Sequence, residues 1–127
     1  MIYGIGVDLV KVARIKAAIE RHGERFLNRV FTPQEIAYCQ RKTRGSESAF
    51  ALRFAAKEAF SKALGVGLRR DGIRWREVEI VPNPLGKPEL SVSGRAADLC
   101  AASGITHMHL SLTDENDQAL AVVILEK

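Results

Sequence analysis

Strand-like and helix-like patterns of apolar residues alternate along the first part of the chain. Residues 1–10 (MIYGIGVDLV) combine β-branched side chains with two glycines, which is typical of a strand that packs closely against another backbone. From 11 to about 30 the apolar residues follow helical spacing, and Gly23 is a candidate break. The chain therefore begins as a strand followed by an interrupted helix.

A second helical pattern follows a strong start signal. Residues 32–35 (TPQE) place a capping threonine, a proline and a glutamate in the order that begins a helix, which we expect to continue to about Arg41. Residues 42–48 (KTRGSES) read as a loop, with Ser46 or Ser48 as the cap of the next helix.

Residues 53–65 (RFAAKEAFSKALG) form the most regular helical pattern in the chain. Gly65 is well suited to end this central helix in a left-handed conformation. Its small residues at helical spacing would let another backbone approach closely. The predicted apolar face comprises Leu52, Ala55, Ala56, Ala59, Phe60 and Ala63. The predicted polar face comprises Arg53, Lys57, Glu58, Ser61 and Lys62.

The second half of the chain turns to β structure. A glycine-rich connection at 65–75 is expected to be mobile or to face a ligand. Residues 77–81 and 88–92 flank a turn and predict a hairpin, and 95–103 predicts an amphipathic helix ended by Gly104.

The last two strands show different patterns. Residues 107–113 alternate strictly, so Met108, Leu110 and Leu112 should face the core while the histidines and hydroxyls face away. After a turn at 114–117, residues 118–125 are almost continuously apolar. We predict an α+β fold with an antiparallel-rich sheet packed on the long central helix.

Length and composition indicate a single domain, and the net positive charge favours anionic partners. With 127 residues and 46% hydrophobic content, a single domain spanning 1–127 buries about two thirds of its unfolded surface. The formal charge of +4 favours phosphorylated ligands, acidic proteins or nucleic acid without choosing among them. Cys39 and Cys100 read as buried thiols of a reducing compartment. No apolar run is long enough to span a bilayer, and we expect a cytoplasmic protein.

A basic strip marks the first helix. Arg14, Arg21 and Arg25 lie at offsets of seven and eleven residues, so they align on one exposed side. Such a strip is usually only a solvated face. It becomes a docking surface when the partner presents an acidic helix, since guanidinium groups fork onto carboxylates.

Two acids and a lysine are the candidates for chemistry. Asp8 ends the first strand, where it serves either as a helix cap or as a metal ligand. Glu58 and Lys62 are four residues apart, a spacing that serves a surface ion pair as well as a shared ligand. Two carboxylates with a lysine suit Mg²⁺ bound to a substrate diphosphate, where the metal and the ammonium stabilise phosphoryl transfer.

Four motifs in order cover nearly the whole chain: GIGVDLV near the start, RFAAKEAFSKALG in the middle, GKP at 86–88 and HLSLTD at 109–114. Together they resemble the holo-acyl-carrier-protein synthases, the small 4′-phosphopantetheinyl transferases. The resemblance implies that 4′-phosphopantetheine is transferred from coenzyme A to a serine of apo acyl carrier protein, which releases 3′,5′-ADP. It also implies the family's fold, dependence on Mg²⁺, a cytoplasmic homotrimer with sites between subunits, and no nucleic-acid or membrane partner.

The resemblance also implies roles for individual residues. Asp8 and Glu58 match the metal-binding acids, and Glu58 and Lys62 the catalytic pair. The positions expected to contact coenzyme A are Arg53, Lys57, Lys62, Gly86, Lys87, Pro88, His109 and Ser111. The positions expected to receive the acidic helix of the carrier protein are Arg14, Arg21 and Arg25.

Some roles stay open at this point. The serine proton passes to Glu58 either directly or through a water molecule. Asp114 stands where some members of the family have histidine, which leaves its role open. His109 is either a coenzyme contact or a structural strand histidine, and His22 and His107 are interpreted as structural.

Two other functions fit the same residues. A binding module would use the arginine strip to hold an acidic partner or nucleic acid, with Glu58 purely structural. A magnesium-dependent hydrolase of a nucleotide diphosphate would use the same acids with water as the acceptor.

Overall fold

A computed structural model of the chain describes residues 1–69 and 71–127. Its elements, in chain order, are β1 (Ile2–Lys11), α1 (Val12–His22), α2 (Glu24–Val30), α3 (Pro33–Gln40), α4 (Ser46–Leu64), a short 3-10 helix (Trp75–Glu77), β2 (Val78–Pro82), β3 (Pro88–Val92), α5 (Gly94–Ala102), β4 (His107–Glu115) and β5 (Gln118–Glu126). No helix in the part of the chain that the structure describes is long and apolar enough to cross a membrane.

The fold is a three-stranded antiparallel sheet packed on the central helix α4. Its strand order is β1-β5-β4, with Asp8 opposite Ala121 and Ala121 opposite Leu112. Strands β2 and β3 pair separately as the predicted hairpin. Helix α4 lies against β1 and β5 and contributes more buried apolar residues to the core than any other element. The predicted α+β fold with an antiparallel sheet on a long helix is confirmed.

Two glycines of β1 let the strand and α4 touch backbone to backbone. A Cβ atom at Gly6 would overlap the carbonyl oxygen of Ala59, and one at Gly4 would overlap that of Ala63. The facing positions on α4 are themselves alanines, Ala59 and Ala63, which are almost fully buried. This close packing fixes the height of α4 above the strand that carries Asp8.

Most of the predicted element boundaries are confirmed. Gly23 separates α1 from α2 at a positive φ of 55°, and Gly65 ends α4 at a φ of 87°. Thr32 caps α3 by accepting the backbone N–H of Glu35 at 3.2 Å, while the Glu35 side chain accepts the backbone N–H of Thr32 at 2.9 Å. Each boundary follows from chemistry within a few neighbouring residues, which is why the sequence predicted it.

Three boundary predictions are wrong. Asp8 does not end the first strand and does not cap α1, because β1 continues to Lys11 and α1 begins only after that residue. Ser46 and Ser48 lie inside the first turn of α4, and the residue before the helix is Gly45, so no side chain caps it. The turn expected at 114–117 is shorter, because β4 continues to Glu115 and only Asn116 and Asp117 remain outside the strands. The glycine-rich connection includes Arg70, which lies outside the described residues.

The polar face predicted for α4 is largely buried, so the assignment of these residues to an exposed face is wrong. Arg53 is 5% exposed, Lys57 0% and Ser61 6%, while Glu58 is half-buried and only Lys62 is exposed. Lys57 enters the core because its ammonium contacts Glu35 Oε1 at 2.8 Å and donates to the carbonyls of Trp75 and Val78. With three polar partners gathered around the ammonium, a buried charge is tolerated.

Candidate functional site

The predicted acids and lysine come together where β1 crosses α4. Asp8 lies on the side of β1 that faces the helix, as Gly4, Gly6 and Val10 do. The Lys62 ammonium lies 3.2 Å from Asp8 Oδ1 and donates to the Val7 carbonyl at 3.0 Å. The structure therefore places a β1 acid and an α4 lysine in direct contact.

Glu58 lies close enough to Asp8 and Lys62 for their charges to affect its carboxyl group. Burial raises the pKa of the Glu58 carboxyl, and the negative charge of Asp8 raises that pKa further. Lys62 and Arg14 act in the opposite direction. Two carboxylates that repel each other, beside a lysine and an arginine, form a site that attracts a cation and accepts a proton.

The donor set of this cluster fits a hard divalent ion. Mg²⁺ in proteins is commonly held by one or two carboxylates, with waters and substrate phosphates as the other ligands. Asp8 and Glu58 supply two carboxylates. Across residues 1–69 and 71–127 no three His, Cys, Asp or Glu side chains gather as a metal site. The remaining ligands of an ion held here would therefore be water and substrate oxygens.

A cationic pocket of about 440 Å³ lies beside the first half of α4. Three predicted coenzyme contacts line it: Arg53, Gly86 and Pro88. The Arg53 guanidinium lies 4.2 Å from the centre of the Tyr38 ring, and its buried Nε has no hydrogen-bond partner among the described residues. The pocket thus presents a fixed guanidinium between an aromatic ring and the turn of the β2–β3 hairpin.

Sequence reasoning missed several residues of this pocket. Lys42, Arg44 and Ser48 line it next to Gly45, where α4 begins without a side-chain cap. Free N–H groups and the helix dipole at such a start favour an anion. The signal was present in the sequence, since two basic residues directly precede a predicted helix start.

Two other predicted coenzyme residues lie outside this pocket. Lys57 does not line it and has its ammonium engaged inside the core. Lys87 is exposed in the hairpin turn, where its backbone N–H donates to the Asn83 side chain at 2.9 Å. Lys87 remains accessible to a phosphate, whereas Lys57 as placed here is not.

His109 and Ser111 lie on the opposite face of the sheet. The register pairs His109 with Ile124 and Ser111 with Val122, and those two residues in turn pair with Ile5 and Val7 of β1. Asp8 projects to the α4 side, and Ile5 and Val7 project outward. One copy of the chain therefore does not bring His109 and Ser111 to the cluster at Asp8.

The predicted basic strip is accessible. Arg14, Arg21 and Arg25 are all exposed. The Arg14 guanidinium lies 5.7 Å from the centre of the Phe54 ring, close enough to influence Glu58. His22 and His107 are also exposed, so neither is a core histidine. We call Asp8, Glu58 and Lys62 the acid cluster. The strip begins next to this cluster and continues from α1 into α2, because Arg25 follows the break at Gly23.

The chain is similar to known proteins over nearly its whole length. The family model of the 4′-phosphopantetheinyl transferase superfamily matches residues 4–123. A curated holo-[acyl-carrier-protein] synthase of Geotalea daltonii is 47% identical over 127 residues, with 100% of both chains covered.

Solved structures agree with the sequence comparison. The crystal structure of holo-[acyl-carrier-protein] synthase from Neisseria meningitidis has a TM-score of 0.89 at 40% identity and covers 100% of both chains. That of the Helicobacter pylori synthase in complex with coenzyme A has a TM-score of 0.84 at 32% identity, covering 96% of this chain and 99% of that one.

Proposed function

The chain belongs to the 4′-phosphopantetheinyl transferase superfamily, and from that premise we propose that it transfers the 4′-phosphopantetheine of coenzyme A to a serine of apo acyl carrier protein. The observation that carries this function is the contact of Lys62 with Asp8 beside Glu58. These residue types in contact supply a cation site, a proton acceptor and an ammonium for a diphosphate.

Coenzyme A binds along α4. The cationic pocket at Arg53 receives the phosphorylated adenosine, with the guanidinium and the uncapped start of α4 supplying positive charge. Arg53 and Glu58 are five residues apart, about 7.5 Å along the helix axis. At 3.6 residues per turn the two side chains also point about 140° apart, so a ligand with its adenosine in the pocket and its diphosphate at the acid cluster must cross the surface of α4.

The reaction exchanges one phosphorus–oxygen bond for another. The serine oxygen of the carrier protein forms a bond to the phosphorus that bears pantetheine, and the bond from that phosphorus to 3′,5′-ADP breaks. Glu58, whose carboxyl has a raised pKa, accepts the serine proton directly or through a water molecule. Lys62 donates hydrogen bonds to the oxygens of the departing ADP, which gain charge as the bond breaks.

Asp8 and Glu58 are the residues that would hold Mg²⁺. When bound there, the ion supplies positive charge that offsets the charge of the diphosphate. Asp8 is 16% exposed and sits at the edge of the core, where an ionised carboxylate needs a cationic partner. Lys62 provides that partner in the structure.

The carrier protein docks on α1. Arg14, Arg21 and Arg25 form an exposed basic strip that begins beside Glu58. An acidic helix laid on this strip brings its serine toward the cluster, because Arg14 lies over Phe54, one turn before Glu58 on α4.

The active unit is a homotrimer that shares its sites between subunits. The outer face of β1 exposes Ile5 by 60%, Val7 by 51% and Leu9 by 58%, a row of apolar side chains that a second copy would cover. His109 and Ser111 lie on this same face. If this outer face of the sheet packs against a second copy, His109 and Ser111 would lie close to the acid cluster of that copy.

The reaction belongs to fatty acid biosynthesis in the cytoplasm. Cys39 and Cys100 are both buried free thiols, which suits a reducing compartment.

Incubation with apo acyl carrier protein, coenzyme A and MgCl₂ tests the function. Intact-mass spectrometry should show the carrier gaining phosphopantetheine while 3′,5′-ADP accumulates in equal amount. Release of the nucleotide without modification of the carrier would instead indicate a hydrolase. A carrier protein whose acceptor serine is replaced by alanine is the control, and it should gain no mass.

A further inference from the structure

A second cationic groove of about 660 Å³ lies away from the coenzyme pocket. Four arginines line it, together with Trp75: Arg29 from α2, Arg69 from the glycine-rich connection, and Arg74 and Arg76 on either side of the tryptophan. None of the residues assigned above to coenzyme A or to the acid cluster lines it. We name it the arginine groove.

The charge of the arginine groove is available to a partner. Among residues 1–69 and 71–127, none of its four guanidinium groups lies within ion-pair distance of a carboxylate. Glu77 is the one acid in its lining, and the carboxylate accepts backbone N–H groups from Arg74 at 2.8 Å and Arg95 at 2.9 Å. A ligand bearing several negative charges would satisfy these arginines, since guanidinium pairs bidentately with carboxylates.

The arginine groove is continuous with the basic strip of α1. The Phe54 ring lies below the Arg14 guanidinium and stacks on Trp75, with ring centres 4.9 Å apart. Arg29 links the two surfaces by a second route, because it lines both the arginine groove and a smaller depression with Arg25. The reacting carboxylate, the strip and the groove therefore belong to one face of the molecule.

We infer that the arginine groove is a second half of the carrier-protein docking surface, which grips acidic side chains of the carrier outside the segment held by α1. This inference rests on the proposed function for the identity of the partner. The open shape of the groove and its spread over α2, the 3-10 helix and the glycine-rich connection suit the surface of a protein. A carrier gripped at both ends of this face has its orientation fixed as well as its position, so that its serine meets Glu58.

Trp75 makes the arginine groove directly observable. It is the only tryptophan of the chain, and it lines the groove. Titration of the protein with a tryptophan-free apo carrier protein should change the emission of Trp75. Titration with coenzyme A alone should leave the emission unchanged, and inorganic phosphate should change it only at concentrations far above those of the carrier.

Charge reversal at two separate positions tests the docking role. Arg76→Glu and Arg29→Glu should each weaken carrier binding and raise the KM for carrier by about tenfold or more, leaving the KM for coenzyme A unchanged. Lys16→Glu is the matched control, since it makes the same charge change nearly opposite Arg14 around α1 and should change neither constant. If a charge-reversal variant misfolds, Arg76→Gln replaces it in the test, and it should raise the KM for carrier by a smaller but measurable factor.

Several results would overturn the inference. Carrier binding in both groove variants equal to that of Lys16→Glu would do so, as would a Trp75 response to inorganic phosphate without one to carrier. If the unaltered protein transfers phosphopantetheine and the groove variants have an unchanged KM for carrier, only the docking role is refuted. Absence of transfer refutes the proposed function, and the Trp75 titration still decides whether an acidic carrier occupies the groove.

Discussion

The ammonium of Lys62 lies 3.2 Å from the carboxylate of Asp8, although 54 residues separate them in the chain. Lys62 is 54% exposed, and exposed ion pairs contribute at most about 1 kcal/mol to stability. The ion pair therefore contributes little to the stability of the fold. A role in binding a charged substrate gives a better one.

Asp8→Ala and Glu58→Ala should separate activity from stability. Each removes a carboxylate from the acid cluster, so turnover should fall by about a hundredfold or more. Thermal unfolding should shift little, because neither carboxylate is fully buried. The measurements are the initial rate of carrier modification and a melting curve for each variant.

The control for this pair is Glu47→Ala, an acid in the first turn of α4 that does not line the cationic pocket at Arg53. It should keep its activity. Full activity in Glu58→Ala would show that this carboxylate takes no part in the reaction and is only structural.

Gly6→Ala should damage both stability and activity. A Cβ at this position would overlap the Ala59 carbonyl, and a backbone group cannot rotate aside as a side chain can. The strand must move off α4, at a cost of about 1–3 kcal/mol, and Asp8 moves with it. Gly67→Ala is the control for stability, because its new Cβ meets the flexible end of the Arg69 side chain, with Nε at 3.2 Å. Urea denaturation and turnover together check this, and equal behaviour of the two variants would contradict it.

The sequence predicted close backbone packing at the first strand and at the central helix, because small residues recur there at regular spacing. The pairing of Asp8 with Glu58 was implied by the family resemblance. Small residues recur on one side of the central helix, and glycines recur on β1. A close approach of the two backbones is their simplest joint explanation, and it brings Asp8 near Glu58.

Lys57 and His109 show where sequence reasoning fails. A lysine in a helical pattern is assigned to solvent by default, and only the fold brings Glu35 and two carbonyl oxygens around its ammonium. Alternation showed that His109 faces away from the core. It could not show that this face is opposite to Asp8, because that depends on the strand order β1-β5-β4.

Glu35 and Lys57 should behave as one unit in folding. Both side chains are 0% exposed, and Glu35 also accepts the backbone N–H of Ile80 at 2.8 Å. Burial lowers the pKa of Lys57, and the Glu35 carboxylate opposes that effect. Removing either partner leaves an uncompensated buried charge, so Lys57→Met or Glu35→Gln should each cost about 3–5 kcal/mol.

The double variant distinguishes a coupled pair from two separate losses. Lys57→Met with Glu35→Gln should cost clearly less than the sum of the single variants, measured by urea denaturation. Strict additivity would show that the two side chains act independently.

Cys39 should make stability depend on pH in the alkaline range. Burial raises the pKa of the Cys39 thiol from 9.0 to about 11. Between these values the unfolded chain loses the proton and the folded chain keeps it, so stability is intact below pH 9 and falls as pH rises through 11. The expected loss is about 2–3 kcal/mol.

The difference between two stability profiles isolates this thiol. Cys39→Ala should flatten the decline between pH 9 and 11, whatever it costs in packing at lower pH. Parallel profiles for the unaltered protein and the variant would show that other groups cause the decline.

Mixing two inactive variants tests whether neighbouring subunits share one site. His109 and Ser111 lie on the sheet face opposite Asp8, so the double variant His109→Ala/Ser111→Ala and the variant Glu58→Ala damage different halves of a shared site. Each variant alone should show little turnover. Refolded together in equal amounts, they should recover activity, because roughly a quarter of the contacts in a randomly mixed ring join the two intact halves.

The outer face of β1 supplies the control for this experiment. Val7→Asp places a charge in the exposed apolar row, so it should prevent self-association and abolish the recovery when it is present in both partners. Sedimentation analysis shows whether each mixture is oligomeric. A mixture that is oligomeric but stays inactive would mean that each subunit carries a complete site and that the apolar face serves assembly alone. A double variant that is fully active by itself would show that His109 and Ser111 are not part of the site.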